Sequence, residues 1–494
     1  MEAGAVLTLG FLLLLLFLSF RASPRQGPGR LPPGPAPLPL LGNLTQNVLP
    51  LYRSYHRLCQ KYGPIFTVWL GPRPAVVLCS SEVLHDALVE HSKEFSGRAP
   101  IPVLTRVSHG YGLINSNGER WRQLRRFTLT TLRNLGMGKR TLEQRVQEEA
   151  QHLAQAVAAK EGREFDPLPD LTQAVANVIC SVVFGTRFSG DNKDFQQLLH
   201  IIKSYMCYFR SLPAQLYNTF PGIMSFLPGP HRQIFREYKR LGAFIQAQVA
   251  SHRHSLDPST PRDLIDCFLL RQAQERAARE QTEFGDENLV ALTSSLFIGG
   301  LETTSNTIQF SLLVLGNFPD VQARVQGELD KAVGRARPPA MEDRLRLPYT
   351  NAVLHELQRY LDLVPMSLPH TTIRPTAFRG YFIPQGTTII PLLASGHFDP
   401  VSWETPEDFN PGHFLDENGA FRKRDAAMPF SAGKRMCPGE GLAKVEIFLF
   451  ITTLLQNFTL QLLTDPGAID LASLRRAFRG SGLAYKLRAV PRPA

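Results

Sequence analysis

The sequence predicts a mainly helical domain with a smaller β portion. Long segments carry apolar residues at helical spacing, strand-like runs are few and short, and only one stretch reads as an interdomain linker. The helical segments are Leu142 to Lys160, Asp170 to Phe184, Arg232 to Ser251, Asp286 to Asn317 and Pro348 to Leu361. The strand-like pieces are IFTVWL and PAVVLC near the N-terminus and FRGYFIP and TTIIPLL late in the chain.

Taken in order, the chain opens on a leucine-rich apolar run from Ala3 to Phe20, with Arg21, Arg25 and Arg30 behind it. As a helix it would extend about 27 Å, enough to span a hydrocarbon core. A cleaved signal peptide is the rival. It lacks support, because no Lys or Arg precedes the run and no clean A-x-A site precedes Arg21. Residues 1–22 are therefore read as a retained membrane anchor, with the remainder on the cytosolic side, where the trailing positive charges belong. The sequons at Asn43 and Asn457 are then chance matches. Residues 23–43 form a basic, proline-rich linker containing LPPGPAPLPLLGN, whose prolines favour stiff extended backbone. Residues 44–494 show no second linker of this kind and no repeat, so they are read as one large domain.

Of 494 residues 43% are hydrophobic, enough for a substantial core. Lys and Arg exceed Asp and Glu by 54 to 43, which suits an anionic partner or membrane surface. No basic run is interleaved with stacking aromatics, which argues against nucleic acid. The six cysteines contain no C-x-x-C pair, so neither a zinc site nor a disulfide framework is indicated. Five stand in apolar contexts. Cys437 instead sits among glycines and basic residues in FSAGKRMCPGEGLAKVEIFLF, on a loop that opens an apolar helix. Backbone N–H groups at a helix N-terminus stabilise a thiolate, the form that ligates metal. The bland rival is a capped helix with an incidental cysteine.

The pattern F-x-x-G-x-R-x-C-x-G, carried by Phe430, Gly433, Arg435, Cys437 and Gly439, resembles the haem-binding loop of the cytochrome P-450 family, and most closely its microsomal drug- and steroid-metabolising group. Further motifs follow in family order across nearly the whole chain. The resemblance implies the cytochrome P-450 fold enclosing haem, preceded by a single transmembrane helix, with Cys437 as axial ligand of the iron. An axial thiolate pushes electron density onto haem iron and favours O–O cleavage.

GGLETTS in the long helical segment resembles the family's distal helix over the haem. There the resemblance gives Thr303 a hydrogen bond in dioxygen activation and Glu302 a part in proton relay. Adjacent Gly299 and Gly300 weaken a helix and would allow it to open locally. The bland alternatives are a Thr303 hydroxyl bonded back into its own helix and a Glu302 paired with a neighbour. ERWRQLRR resembles the propionate-binding helix, through Trp121 and Arg125; Arg98, His370 and Arg435 occupy matching positions for further propionate contacts. Glu356 and Arg359, with His413 in FNPGHF where Arg is frequent, match a structural network and are assigned to core assembly. Arg122, Arg126 and Lys434 would contribute to a basic face for an NADPH-fed flavoprotein reductase, or be merely solvated charges. Whether cytochrome b5 assists is left open.

By the same resemblance, substrate contacts fall to Ile101, Val103, Ile114, Phe297, Ile298, Gly299, Val364 and Leu368, with core packing as the rival at each. They offer no charged anchor, which favours a lipophilic neutral ligand. The segment from Tyr217 to Pro230 is read as an access lid dipping into the membrane or as a buried connection. Two departures stand out: Leu301 where Thr is frequent, and Pro438 directly after the ligand, which has no N–H to offer the sulfur. The functions implied are reductase-fed monooxygenation of a lipophile (xenobiotic, fatty acid or steroid) at the endoplasmic reticulum membrane, a peroxide-dependent haem-thiolate isomerase or peroxygenase, or a haem- or lipid-binding protein without turnover.

Overall fold

Apolar residues three and four apart put one stripe of each helix into the core. In α1 (Gly118–Asn134) that stripe is Trp121, Leu124, Thr128, Thr131 and Leu132. The computed structural model describes residues 10, 31–46, 50–137, 140–278, 282–464 and 485–493. The other principal helices are α2 (Arg140–Ala158), α3 (Leu168–Val183), α4 (Lys193–Phe209), α5 (Pro230–Ser255), α6 (Asp286–Asn317), α7 (Pro348–Leu361) and α8 (Glu440–Asn457). All five helical segments expected from the sequence are present, with ends shifted by a few residues where prolines set the first turn, as at Pro230 in α5.

At 32 residues α6 is about 48 Å long and crosses the domain. It packs against α3, α5 and α8. Helices surrounded in this way show no single apolar stripe, and α8 is accordingly buried all round from Glu446 to Gln456.

Strands β1 (Ile65–Leu70) and β2 (Arg73–Leu78) form a hairpin, and β3 (Gly97–Arg98), β4 (His370–Thr371) and β7 (Thr388–Pro391) complete a five-stranded sheet of order β1-β2-β7-β4-β3. Only β2 and β7 run parallel. The hairpin of β5 (Thr376–Phe378) with β6 (Tyr381–Ile383) and the pair β8 (Phe458–Leu462) with β9 (Leu487–Pro491) are separate. The register of β3 and β4 sets Arg98 opposite His370, joining residues far apart in sequence.

Among the described residues no helix is long and apolar enough to cross a membrane. The expected anchor at 1–22 lies outside the described residues apart from Gly10. The described part of the proline-rich stretch is pinned to β1: Thr67 Oγ1 donates to Pro32 O at 2.8 Å, and Trp69 N–H donates to Asn43 Oδ1 at 2.7 Å. Asn43 is fully buried in this staple, so its sequon is closed to glycosylation in the folded chain.

Candidate functional site

The loop before α8 owes its shape to Gly433, at φ +70°. A Cβ there would stand 1.7 Å from Leu88 O, so only glycine lets the loop lie against the turn Asp86–Glu90. Gly433→Ala is expected to cost about 1–3 kcal/mol in backbone strain alone, with the clash added. A fall in both thermal midpoint and haem content would register it.

The loop delivers Cys437 to the start of α8. Its N–H donates to Phe430 O at 3.0 Å, while the backbone N–H groups of Gly439 and Glu440 point to its sulfur. Burial pushes the thiol up, against the lowering by the Gly439 and Glu440 N–H groups and by Arg125; the Glu440 carboxylate adds to the rise. The thiolate favoured on sequence grounds therefore does not follow from the helix N-terminus alone, because desolvation outweighs it. A metal cation at the sulfur reverses the balance.

Beside this loop lies a cradle of cationic side chains. Arg435 stacks over the Trp121 ring at 3.8 Å, and donates to Ser96 O at 2.7 Å and to Ser116 O and Asn117 Oδ1 at 2.9 Å. Arg125, one turn after Trp121, donates to Met436 O at 2.7 Å. Arg98 donates to Leu368 O at 2.6 Å, and its buried Nε has no partner. His370 Nδ1 is 2.8 Å from Phe95 O, while its buried Nε2 is also unpartnered. Burial first, then mutual repulsion, pushes Arg435 down to about 8 and Arg98 to about 10. Burial, with Arg98 adding repulsion, holds His370 at about 3. Among the described residues no carboxylate pairs with Arg98, Arg125 or Arg435. Three clustered guanidinium groups with unmet donors fit an anionic guest, and the two propionates of haem beside a cysteine ligand supply that chemistry.

Sequence reasoning missed Asn117. It stands where a helix cap belongs, but its side chain makes no cap; instead it accepts from Arg98 N–H at 2.7 Å and returns a bond to Arg98 O at 2.9 Å. The N-cap pattern concealed this bridging role between Arg98 and Arg435.

On α6 the helix continues unbroken through Gly299 and Gly300, so the expected opening is absent. Gly300 instead makes room for α3, because a Cβ there would meet Ile179 at 2.8 Å. Gly299 faces open space, with nothing within 4 Å of a Cβ. Thr303 Oγ1 donates to Gly299 O at 2.7 Å, and Glu302 pairs with Arg210 at 3.6 Å, so both bland alternatives are realised in this structure. Leu301 is buried in the main core cluster.

The other expected contact residues fall in two groups. Phe297 packs against Phe184 in the main core, and Val103 is buried in a cluster with Tyr205, Tyr208 and Tyr217 against which Ile298 packs. Ile114, Ile298 and Leu368 are half-buried, Ile101 is buried and Val364 is exposed. Arg122, Arg126 and Lys434 are exposed, Arg122 in an ion pair with Glu119 at 2.9 Å.

Comparison with known proteins agrees with this architecture. The family model described as Cytochrome P450 matches residues 32–475. The chain is 46% identical to Cytochrome P450 2B4 of Oryctolagus cuniculus over the whole of both chains. It is 47% identical to Cytochrome P450 2C23 of Rattus norvegicus, over 94% of each. Against Cytochrome P450 2F2 of Mus musculus the identity is 46%, over 94% of this chain and 93% of that one.

Proposed function

The chain belongs to the cytochrome P450 family, and from that premise we propose how its residues divide the work of a haem-thiolate monooxygenase. Bound haem would supply the redox chemistry, in which two electrons from NADPH, passed on by a reductase, two protons and one dioxygen give an oxygen atom inserted into the substrate and one water. Cys437 would supply the sulfur that ligates the iron, with the Gly439 and Glu440 N–H groups stabilising its charge. Arg98, Arg125, Arg435, Trp121 and His370 would hold the propionates, and Phe430 anchors the loop through its carbonyl. The Thr303 hydroxyl and Glu302 carboxylate front the reaction and pass protons, Thr303 by turning its hydroxyl from Gly299 O. The observation that carries this reading is the cradle of three guanidinium groups, without a carboxylate partner among the described residues, beside the Cys437 loop.

The substrate is a lipophile, consistent with the aromatic and aliphatic cluster around Ile298. Ile223 at 64% and Phe226 at 84% exposure, with Leu212 and Leu227 nearby, give the segment between α4 and α5 an apolar outer surface that suits a lid resting in a membrane. The chain belongs on the endoplasmic reticulum membrane, its domain facing the cytosol. The exposed Arg122, Arg126 and Lys434 form part of the reductase-docking face, and cytochrome b5 is a further candidate for it.

Reconstitution with the reductase tests the function: NADPH-dependent oxygenation of a lipophile is expected. Turnover with hydrogen peroxide but none with NADPH and reductase would overturn it. Pro438 adds a prediction. It contributes no N–H to a sulfur that already receives two, so Pro438→Leu restores a donor, weakens electron donation and raises the iron's reduction potential. Redox titration and the Fe–CO stretching frequency check the direction.

A further inference from the structure

The long helix α6 is buried on nearly every side, and its burial breaks along one face. Ser295, Gly299, Glu302 and Thr303, spaced by four, three and four residues from their face neighbours, are partly or fully accessible, and Gly299 looks onto open space. This stripe is the accessible strip of the middle of α6. Across from it stands Arg210, which ends α4 as its C-cap. The Arg210 guanidinium meets Glu302 Oε1 at 3.6 Å, with side-chain exposures of 26% and 18%. Among the described residues neither side chain has another polar partner. A guanidinium carries five N–H donors, so one long contact leaves its fork largely open. The neighbouring wall is apolar: Met206 and Phe209 of α4 pack in the same cluster as Ile298 of α6.

From this juxtaposition we propose that Arg210 is the anchor for a carboxylate on the substrate, and that the preferred substrates are lipophilic monocarboxylates. The proposal rests on the monooxygenase reading and narrows its substrate class. The apolar wall takes the hydrocarbon body, while the carboxylate takes the open fork in a bidentate geometry that the long Glu302 contact does not achieve. Substrate and Glu302 compete for one cation. Binding therefore frees Glu302, the neighbour of Thr303, from its ion pair. No charged anchor could be read among the contact residues in sequence, because Arg210 and Glu302 are 92 positions apart and meet only where α4 crosses α6.

The test is a spectral binding titration of the haem-loaded, full-length protein with a saturated long-chain fatty acid and with its methyl ester. Wild type is expected to bind the acid about 10- to 100-fold more tightly, the range of one charge-assisted contact. Arg210→Leu should remove that preference and leave the ester's affinity unchanged. Glu302→Gln should tighten the acid several-fold, because the competitor for Arg210 is gone. A merely structural ion pair would instead weaken both ligands in both variants. Equal binding of acid and ester by wild type, or equal loss of both in Arg210→Leu, overturns the anchor. The carbon monoxide difference spectrum of each sample separates the two levels: its thiolate band missing from wild type sinks the underlying reading, whereas a normal band with no preference for the acid sinks only the anchor.

Discussion

Cys437→Ala is expected to abolish the strongly red-shifted Soret band of the reduced carbon monoxide complex and to reduce NADPH-supported turnover to background. The reason is local. Cys437 is the one cysteine whose sulfur faces the N–H groups at the start of α8 and the Arg125 guanidinium. Cys79 and Cys180 are buried where desolvation pushes their thiols well up, and neither stands by the cationic cradle. Arg98, Arg125, Arg435 and Trp121 are untouched in the variant, so haem binding should weaken without vanishing, and the reduced complex should absorb at the position of a haem lacking thiolate. A red-shifted band surviving in Cys437→Ala would assign the ligand to another cysteine and overturn the site.

Arg359→Ala is expected to destabilise the fold by about 3–5 kcal/mol, the cost of leaving a buried charge unpaired. Against a typical total of about 5–15 kcal/mol, little soluble haem-bearing protein should accumulate. Both partners of the Glu356–Arg359 pair are 0% exposed and 2.7 Å apart. Arg359 also donates to the carbonyls of His397 at 2.7 Å and of Pro406 and Asp408 at 2.8 Å, while Glu356 accepts from Asn410 N–H at 2.8 Å and faces His413 Nδ1 at 3.2 Å. Buried ion pairs can often be exchanged for apolar residues at little cost. This one should resist. The double replacement Glu356→Leu with Arg359→Met removes both charges, yet it orphans three carbonyls and the Asn410 N–H, each costing about 1–3 kcal/mol. Urea midpoints of the two variants, read with haem content, decide it: full recovery in the double variant would show that the pair is a replaceable ion pair and no organiser of the loop from His397 to His413.

The sequence by itself determined the helical class, five of the principal helices and the residue pattern of the Cys437 loop. Each is local information: a three-to-four periodicity, or residues within about ten positions whose types only one chemistry uses together. Glu356 and Arg359 were legible for the same reason, being three apart on one helix face. Helix α4 carries the same spacing in Phe195, Leu198, Ile201, Ile202, Tyr205 and Tyr208 and was overlooked. The two-residue strands β3 and β4 could not have been found, since they are too short for any period and exist only as each other's partners. Tertiary structure alone decided what Asn117 bridges, that Gly300 serves packing while Gly299 faces open space, and that burial outweighs the helix terminus at the Cys437 thiol. It also brought Arg210 to Glu302. These depend on desolvation and on contacts between distant segments, and both quantities come into being only when the chain closes on itself.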